Sequence, residues 1–164
     1  MEAYVPEKRG ALHSNRLLMM AKWFSIILVF LLFFAWSGLV WAQRVSVKAD
    51  VANIRSGPNT SDAVIWQVEK YHPLEVVQKQ GSWILFKDFE GDRGWIHNSL
   101  IADTKTVIVK SDKCNVRSGP GTEHDIRFTV DKGVPFNVLD EKGDWIHLVH
   151  ADGDQGWIHR SLVW

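Results

Sequence analysis

The stretch Asn53-Ile54-Arg55-Ser56-Gly57-Pro58-Asn59-Thr60 occurs twice in this chain, the second time as Asn115-Val116-Arg117-Ser118-Gly119-Pro120-Gly121-Thr122. The two stretches lie 62 residues apart. At this offset residues 45–102 align with residues 107–164 without a gap, and 25 of the 58 aligned pairs are identical. Such a regular duplication indicates two copies of one structural unit, so the fold has to be explained one copy at a time.

Two further blocks repeat at the same offset and indicate β-structure. The block Gly94-Trp95-Ile96-His97 recurs at residues 156–159, and Gly81-x-Trp83-Ile84 recurs at residues 143–146. Short apolar stretches alternate with turn residues, including a hairpin signal over residues 90–94, and residues 43–164 lack a helical apolar rhythm. We therefore predict an all-β chain of two small closed barrels. The expected core residues are Ile84, Phe86, Ile96, Ile146, Leu148 and Ile158.

The three repeated blocks together resemble the bacterial SH3 domain family. They occur in both copies, and the resemblance extends over nearly all of residues 45–163. It implies an SH3-like β-barrel in each unit and a non-catalytic role in proteins of the cell envelope, binding cell-wall peptide or glycan or docking a partner. The expected domains are residues 43–102 and residues 107–164, joined by a linker of residues 103–106.

Residues 1–42 differ in character from the rest of the chain. Residues 23–42 form an apolar run of 20 residues that follows basic side chains and predicts a hydrophobic helix. Two interpretations fit: an export signal cleaved after Ala42, or a membrane anchor of residues 23–42. Both place residues 43–164 outside the cytoplasm, in the periplasm or cell envelope, because the positive flank stays inside. The stretch before the run is long for a signal, and Met19 or Met20 offers an alternative start.

The formal net charge of zero conceals two parts of opposite sign. Residues 1–42 carry a net charge of +2, and residues 43–164 carry a net charge of −2. An acidic body lacks the basic face that a nucleic-acid backbone requires, so we expect no nucleic-acid partner. Contact with a membrane is expected only through residues 23–42, if that segment is uncleaved.

The sequence predicts no catalytic residue, no metal and no cofactor. The single cysteine, Cys114, aligns with Ala52, a position for a small residue, and is expected to be a buried, inert thiol. His147 and His150 would lie on opposite faces of a strand, which argues against joint metal ligation. The acidic hairpin residues lack the regular spacing of a calcium loop. A small cell-wall hydrolase, which needs a nucleophile and a base, is therefore a weak alternative.

The repeated loop is expected to be mainly structural. Gly57 and Gly119 would supply a backbone angle that other residues avoid, and the proline after each glycine would stiffen the turn. Arg55 and Arg117 have two possible roles. They could brace the loop by donating to backbone carbonyls, or they could contact a carboxylate of a ligand.

Aromatic residues supply the other candidate contacts. Trp83 and Trp145 share a strand face with Leu85 and His147, so this face is partly wet, and each indole either lines a groove or caps the barrel. Other aromatics differ between the copies, as binding surfaces do more than cores, and either contact a ligand or are partly buried between the units. These are Trp66, Tyr71, Phe89 and Trp164, opposite Phe128, Gly133, Ala151 and Ala102.

These considerations lead to a functional hypothesis. We predict an exported, non-catalytic binding module that recognises peptidoglycan peptide or a segment of a partner protein, with an adaptor for an envelope enzyme as the alternative. The candidate ligand-binding residues are Arg55, Pro58, Trp66, Tyr71, Trp83, Arg117, Pro120, Phe128 and Trp145.

Overall fold

The structure is a computed structural model that describes residues 43–164. The predicted hydrophobic helix of residues 23–42 lies outside the described residues. Within residues 43–164 the two halves form two separate antiparallel sheets that share no strand. The prediction of an all-β architecture in two units is thus confirmed for this part of the chain. Residues 43–164 contain no helix that is long and apolar enough to cross a membrane.

The first sheet contains seven strands, in the order β3-β2-β6-β5-β4-β1-β7. A short 3₁₀ turn at Asn98–Leu100 leads from β6 into β7, which pairs with β1 and so brings the end of the unit back to its beginning. The strands are β1 (Arg44–Val47), β2 (Val51–Arg55), β3 (Val64–Glu69), β4 (Pro73–Gln80), β5 (Trp83–Lys87), β6 (Arg93–His97) and β7 (Ile101–Ala102).

The second sheet repeats this order with six strands, β10-β9-β13-β12-β11-β8. In place of a counterpart to β7, Val163 forms a single bridge with Val109. Strand β8 begins at Thr106, inside the segment 103–106 that the sequence assigned to the linker. The strands are β8 (Thr106–Ile108), β9 (Cys114–Arg117), β10 (Ile126–Val130), β11 (Pro135–Lys142), β12 (Trp145–Val149) and β13 (Gln155–His159).

Each sheet surrounds its own hydrophobic core. Both end strands of the first sheet contribute to one cluster, Val68 from β3 and Ile101 from β7, so the sheet coils around it. The alternation along β5 turns Ile84 and Phe86 inward, as the period of two in a strand requires. The six predicted core residues are all buried, which confirms that prediction. Burial of one such side chain contributes about 1.5–3 kcal/mol.

The duplication extends to irregular features of the backbone. Each long strand, β4 and β11, contains a β-bulge at the same aligned position, where Val77 and Leu139 lie next to the shift in register. Both of these side chains are exposed. Pro73 and Pro135 begin the two strands, at a position where a missing N–H is tolerated. The two sheets are therefore curved in the same way.

Candidate ligand-binding site

The arginines of the repeated motif brace the loop that follows them. Arg55 Nη1 donates a hydrogen bond to the backbone oxygen of Asp62 at 2.6 Å. Arg117 Nη1 donates to the backbone oxygens of Thr122 at 3.0 Å and His124 at 2.8 Å. The bracing interpretation is confirmed in both copies. Contact of the remaining guanidinium donors with a ligand stays a prediction.

The glycines of the loop have a different role from the expected one. Gly57 and Gly119 do not lie in the left-handed region, so the prediction of an unusual backbone angle is wrong. A side chain at either glycine would meet the end of a neighbouring side chain. A Cβ atom on Gly57 would lie 2.5 Å from Oδ2 of Asp62, and one on Gly119 would lie 2.6 Å from Cε1 of His124. These nearest obstacles are the ends of flexible side chains that can move aside, so neither a left-handed backbone nor a rigid obstacle explains the two glycines.

A tryptophan, a histidine and a serine form the same arrangement in both units. The pairing of β5 with β6 sets Trp83 opposite His97, and their rings meet edge to face at 5.3 Å. His97 Nδ1 accepts a hydrogen bond from the backbone N–H of Ser99 at 3.3 Å and lies 2.7 Å from Ser99 Oγ. Because Nδ1 accepts, the ring proton belongs on Nε2. Each of these histidines is therefore fixed in one orientation beside an indole.

The second unit shows the same geometry with almost the same distances. Trp145 and His159 meet edge to face at 5.4 Å, and His159 Nδ1 lies 2.8 Å from Ser161 Oγ. Strand register thus explains why the block Gly-Trp-Ile-His recurs: its histidine faces the tryptophan of the preceding strand. The sequence did not identify these histidines as site residues, although their repetition was a usable signal.

A groove of about 270 Å³ lies beside this arrangement in the second unit. It is lined by residues of the braced loop and of the tryptophan pair, including Asn115, Arg117, Thr122, Trp145 and His159. The structure thus brings the candidate residues Arg117 and Trp145 together, while Pro120 is not among the lining residues. The groove offers an indole, an amide and a guanidinium, which suits an extended peptide.

Trp66 and Phe128, which occupy aligned positions, are half-buried against the cores. Trp66 meets Phe86 edge to face at 6.2 Å, and Phe128 packs against the second core cluster. Both side chains therefore contribute to core packing, whether or not they also touch a ligand. Trp66 in addition lines a cavity to which both units contribute.

Trp164 and Phe89 interact with the other unit. The guanidinium carbon of Arg44 lies 3.8 Å from the centre of a Trp164 ring, a close cation–π contact. The ammonium group of Lys132 lies 5.8 Å from the centre of the Phe89 ring. The interpretation that unmatched aromatics are partly buried between the units is therefore confirmed for these two residues.

Tyr71 occupies a backbone conformation that is costly for its residue type. Its φ is 71°, in the left-handed region, and the aligned residue in the second unit is Gly133 with a φ of 91°. The two backbone N–H groups make equivalent bonds, from Tyr71 to Val47 and from Gly133 to Val109, each at 2.8 Å. The turn thus requires a positive φ, and a tyrosine there carries a strain of about 1–2 kcal/mol.

Replacing Tyr71 by Gly is therefore expected to stabilise the protein by up to about 1 kcal/mol, because relief of strain exceeds the added flexibility of the unfolded chain. Urea unfolding would measure the change. Tyr71→Ala is the matched control, since it removes the ring but keeps the strained backbone. If the glycine variant is less stable than the alanine variant, backbone strain does not decide the stability of this turn.

The two sheets correspond to two copies of a known domain. The family model described as "Bacterial SH3 domain" matches residues 48–103 and residues 110–164, one match for each sheet. The chain belongs to the bacterial SH3 domain family. The resemblance inferred from the repeated motifs is thereby confirmed in both copies.

Curated relatives of this bacterial SH3 chain are longer proteins. The Bacillus subtilis protein named "Putative N-acetylmuramoyl-L-alanine amidase YrvJ" is 27% identical over 150 residues, which cover 84% of this chain and 29% of YrvJ. The Staphylococcus epidermidis protein named "Probable cell wall amidase LytH" is 30% identical over 64 residues, which cover 37% of this chain and 22% of LytH. The chain therefore spans less than a third of the length of these relatives.

A solved NlpC/P60 family protein from Bacillus cereus is also similar in structure to the tandem SH3 units. The superposition gives a TM-score of 0.36 with 12% identity and covers 74% of this chain and 55% of that protein.

Cys114 of the second SH3 unit lines the same groove as Trp145 and His159. Cys114 is buried, its Sγ donates to the backbone oxygen of Ser111 at 3.1 Å, and burial raises its pKa. His147 stacks on Trp157 at 4.9 Å, whereas His150 lies against Phe136. Within the described part of the chain no three His, Cys, Asp or Glu side chains are placed to hold a metal ion.

Proposed function

We propose that this chain is an exported, non-catalytic binding module of the cell envelope that holds an extended peptide. The peptide would be a peptidoglycan stem or a segment of a partner protein, and each unit would bind it between the braced loop and the tryptophan of its fifth strand. Partners of other classes are not expected: the acidic body does not suit nucleic acid, and membrane contact would involve only residues 23–42 if uncleaved.

One observation carries this proposal: the loop, the tryptophan and the histidine have the same geometry in both units. The Trp–His distances are 5.3 and 5.4 Å, and both loop arginines are fixed by backbone carbonyls. The two sequences are otherwise free to diverge on their surfaces. Each indole is only half-buried and lies beside a fixed imidazole, so its exposed part can contact a ligand, which favours a binding role over simple capping of the core.

The chemistry of the groove suits a peptide. The indole of Trp145 provides a flat apolar wall, and Asn115 can bond the backbone of an extended ligand. Arg117 uses one Nη atom to hold the loop, so its remaining donors can reach a carboxylate at the groove. A stem peptide has both an extended backbone and carboxylates. The pair of equivalent sites would raise avidity if one ligand spans both.

Support for an envelope role comes from the relatives. YrvJ is named a putative N-acetylmuramoyl-L-alanine amidase and LytH a probable cell wall amidase, and this chain matches only a part of each. We infer that the part of YrvJ and LytH that this chain matches is a binding module. In this protein the module would lie in the periplasm or cell envelope. The buried Cys114, whose raised pKa keeps the thiol protonated, favours a non-catalytic role.

The test is sedimentation of the full chain with purified cell-wall sacculi. Trp83→Ala combined with Trp145→Ala is expected to weaken retention by roughly thirty-fold or more, because loss of one central aromatic typically costs about 2 kcal/mol. Trp164→Ala is the matched control, as it removes an indole of the same size that packs on Arg44. Its retention should stay close to that of the unmodified chain.

Three results would count against the proposal. Full retention by the double variant would remove the tryptophan groove from the binding site. Failure of the unmodified chain to sediment with sacculi, combined with capture of a single envelope enzyme from membrane extract, would favour the adaptor alternative. Release of muropeptide fragments by the purified chain would support the alternative that the chain is a small cell-wall hydrolase.

A further inference from the structure

An open cavity of about 620 Å³ lies where the first unit meets a turn of the second. Strands β2 and β3 and the β5–β6 turn form most of it, and Gly133 contributes from the other unit. Trp83 and Trp145 are not among its lining residues, so it is distinct from the proposed tryptophan groove. The residues that line it are Val51, Trp66, Gln67, Val68, Glu69, His72, Asp88, Phe89, Glu90, Asp92 and Gly133.

Part of the lining of this cavity is specific to the first unit. Four of its residues differ in the second copy, three of them in chemical character, although the surrounding strands are duplicated. Trp66, His72, Asp88 and Phe89 stand opposite Phe128, Val134, His150 and Ala151. Residues needed only for folding should persist in both copies, so His72, Asp88 and Phe89 indicate a function that the second copy lacks.

The cavity is strongly acidic. Glu69, Asp88, Glu90 and Asp92 all contribute to its wall. Oδ1 of the buried Asp88 accepts hydrogen bonds from the backbone N–H groups of Glu90 and Asp92, each at 2.9 Å, and so fixes the turn that carries these two carboxylates. A ligand for this surface should therefore carry positive charge.

His72 provides an independent sign that something polar belongs here. Its side chain is only 9% exposed, it lines the cavity, and its Nε2 has no hydrogen-bond partner in the described part of the chain. A buried nitrogen without a partner is uncommon and calls for an explanation. Burial lowers the pKa of His72, so the ring is neutral near pH 7 and does not repel a cation.

The choice among cations follows from the geometry. No cluster of three His, Cys, Asp or Glu side chains in residues 43–164 is placed to ligate a metal ion. An ammonium group does not need such a cluster of ligands, because separate hydrogen-bond acceptors and aromatic faces are enough to bind it. The molecule already contains an example: the Lys132 ammonium lies 2.7 Å from Glu90 Oε1 and 5.8 Å from the centre of the Phe89 ring.

We propose that this cavity binds the primary ammonium group of a peptide ligand, which displaces the ammonium of Lys132 from Glu90. Lys132 of the second unit thus competes with the ligand for Glu90. Both side chains of the pair are about half exposed, so the resident contact is weak and can be exchanged. The proposal does not depend on the tryptophan groove or on binding to the wall.

The test uses the full chain labelled with ¹⁵N and kept in detergent because of its apolar run. The probe is Nα-acetyl-lysine methylamide, which carries one free ammonium group. We expect saturable shifts of the Trp66 indole N–H and of the backbone amides of Glu90 and Gly133. The same compound acetylated at Nε, which lacks the charge, should leave these signals unchanged.

Two variants with opposite expected effects make the test sharp. Lys132→Met removes the competitor and is expected to tighten probe binding about three-fold, since an exposed ion pair is worth a factor of up to about five. Glu90→Gln removes the principal carboxylate and is expected to weaken binding at least about five-fold. Neither change affects a buried side chain, so both variants should fold.

Other results would overturn the proposal. Equal shifts with the two probes would show that the ammonium group is not recognised. Unchanged affinity in Lys132→Met would exclude displacement of the resident lysine, and saturation of the same amides by calcium chloride alone would replace the ammonium site with a metal site. Because the wall-binding experiment depends on Trp83 and Trp145, the two proposals can fail separately.

Discussion

Replacing Phe86 by Ala is expected to unfold the first unit while the second unit stays folded. Phe86 is fully buried and meets Trp66 edge to face at 6.2 Å. Truncation of a buried phenylalanine typically costs about 3–5 kcal/mol. A domain of about 60 residues buries too little surface to tolerate such a loss easily. The first unit should therefore be largely unfolded near physiological temperature.

Leu148→Ala gives the reciprocal experiment. Leu148 aligns with Phe86, is also fully buried, and belongs to the other core cluster. Hydrogen exchange of the full chain, read by mass spectrometry, should show faster exchange over residues 44–97 in the first variant and over residues 106–159 in the second. If either variant opens both ranges together, the tandem is one cooperative body and the separate cores do not act independently.

The cores are the part of the molecule that could be predicted best from sequence. Two signals identify the inward positions: the alternation along a strand and the identity of aligned residues in the two copies. Both signals predict that Ile84 and Ile146 are buried. For the loop arginines, the sequence left two roles open: bracing the loop or contacting a carboxylate of a ligand. Their donors could reach a backbone carbonyl or a ligand, and only the loop's path places the oxygens of Asp62 and His124 within reach.

Features that depend on close approach could not be predicted in the same way. Glycine in a turn motif is compatible with an unusual φ or with a shortage of space, and sequence does not separate the two. Gly57 has no positive φ and meets only the end of the Asp62 side chain, whereas the position of Tyr71 and Gly133 has a positive φ, although one copy carries tyrosine there. Because the first copy has tyrosine at this position, comparison of the copies did not indicate that the turn requires a positive φ.

The cavity between the units could not be predicted from the duplication. Its contacts, such as Glu90 with Lys132, join positions that are not equivalent in the two copies. Comparing the copies therefore shows which residues differ, among them Trp66 and Phe89, but not that these residues lie close to Gly133 of the other unit. Only the arrangement of the two sheets shows that they share one surface.

Replacing Gly156 by Ala is expected to destabilise the second unit by about 1–3 kcal/mol through overpacking. A Cβ atom on Gly156 would lie 2.6 Å from Cγ1 of Val116 and 2.7 Å from the backbone oxygen of Arg117. The backbone oxygen is the more serious obstacle. Arg117 lies opposite Trp157 where β9 pairs with β13, so its backbone can retreat only by separating these strands.

Controls can distinguish the two obstacles in urea unfolding experiments. Gly143→Asn changes a glycine with open space and a φ of +58°, which asparagine tolerates, so a loss of well under about 1 kcal/mol is expected. Val116→Ala removes the side-chain obstacle but leaves the oxygen of Arg117 in place. The double variant Gly156→Ala, Val116→Ala should therefore remain clearly less stable than Val116→Ala alone. Equal stability of these two variants would mean that the valine caused the clash. In that case the β9–β13 contact, which also positions the guanidinium of Arg117 beside the groove, would be more adaptable than the close approach implies.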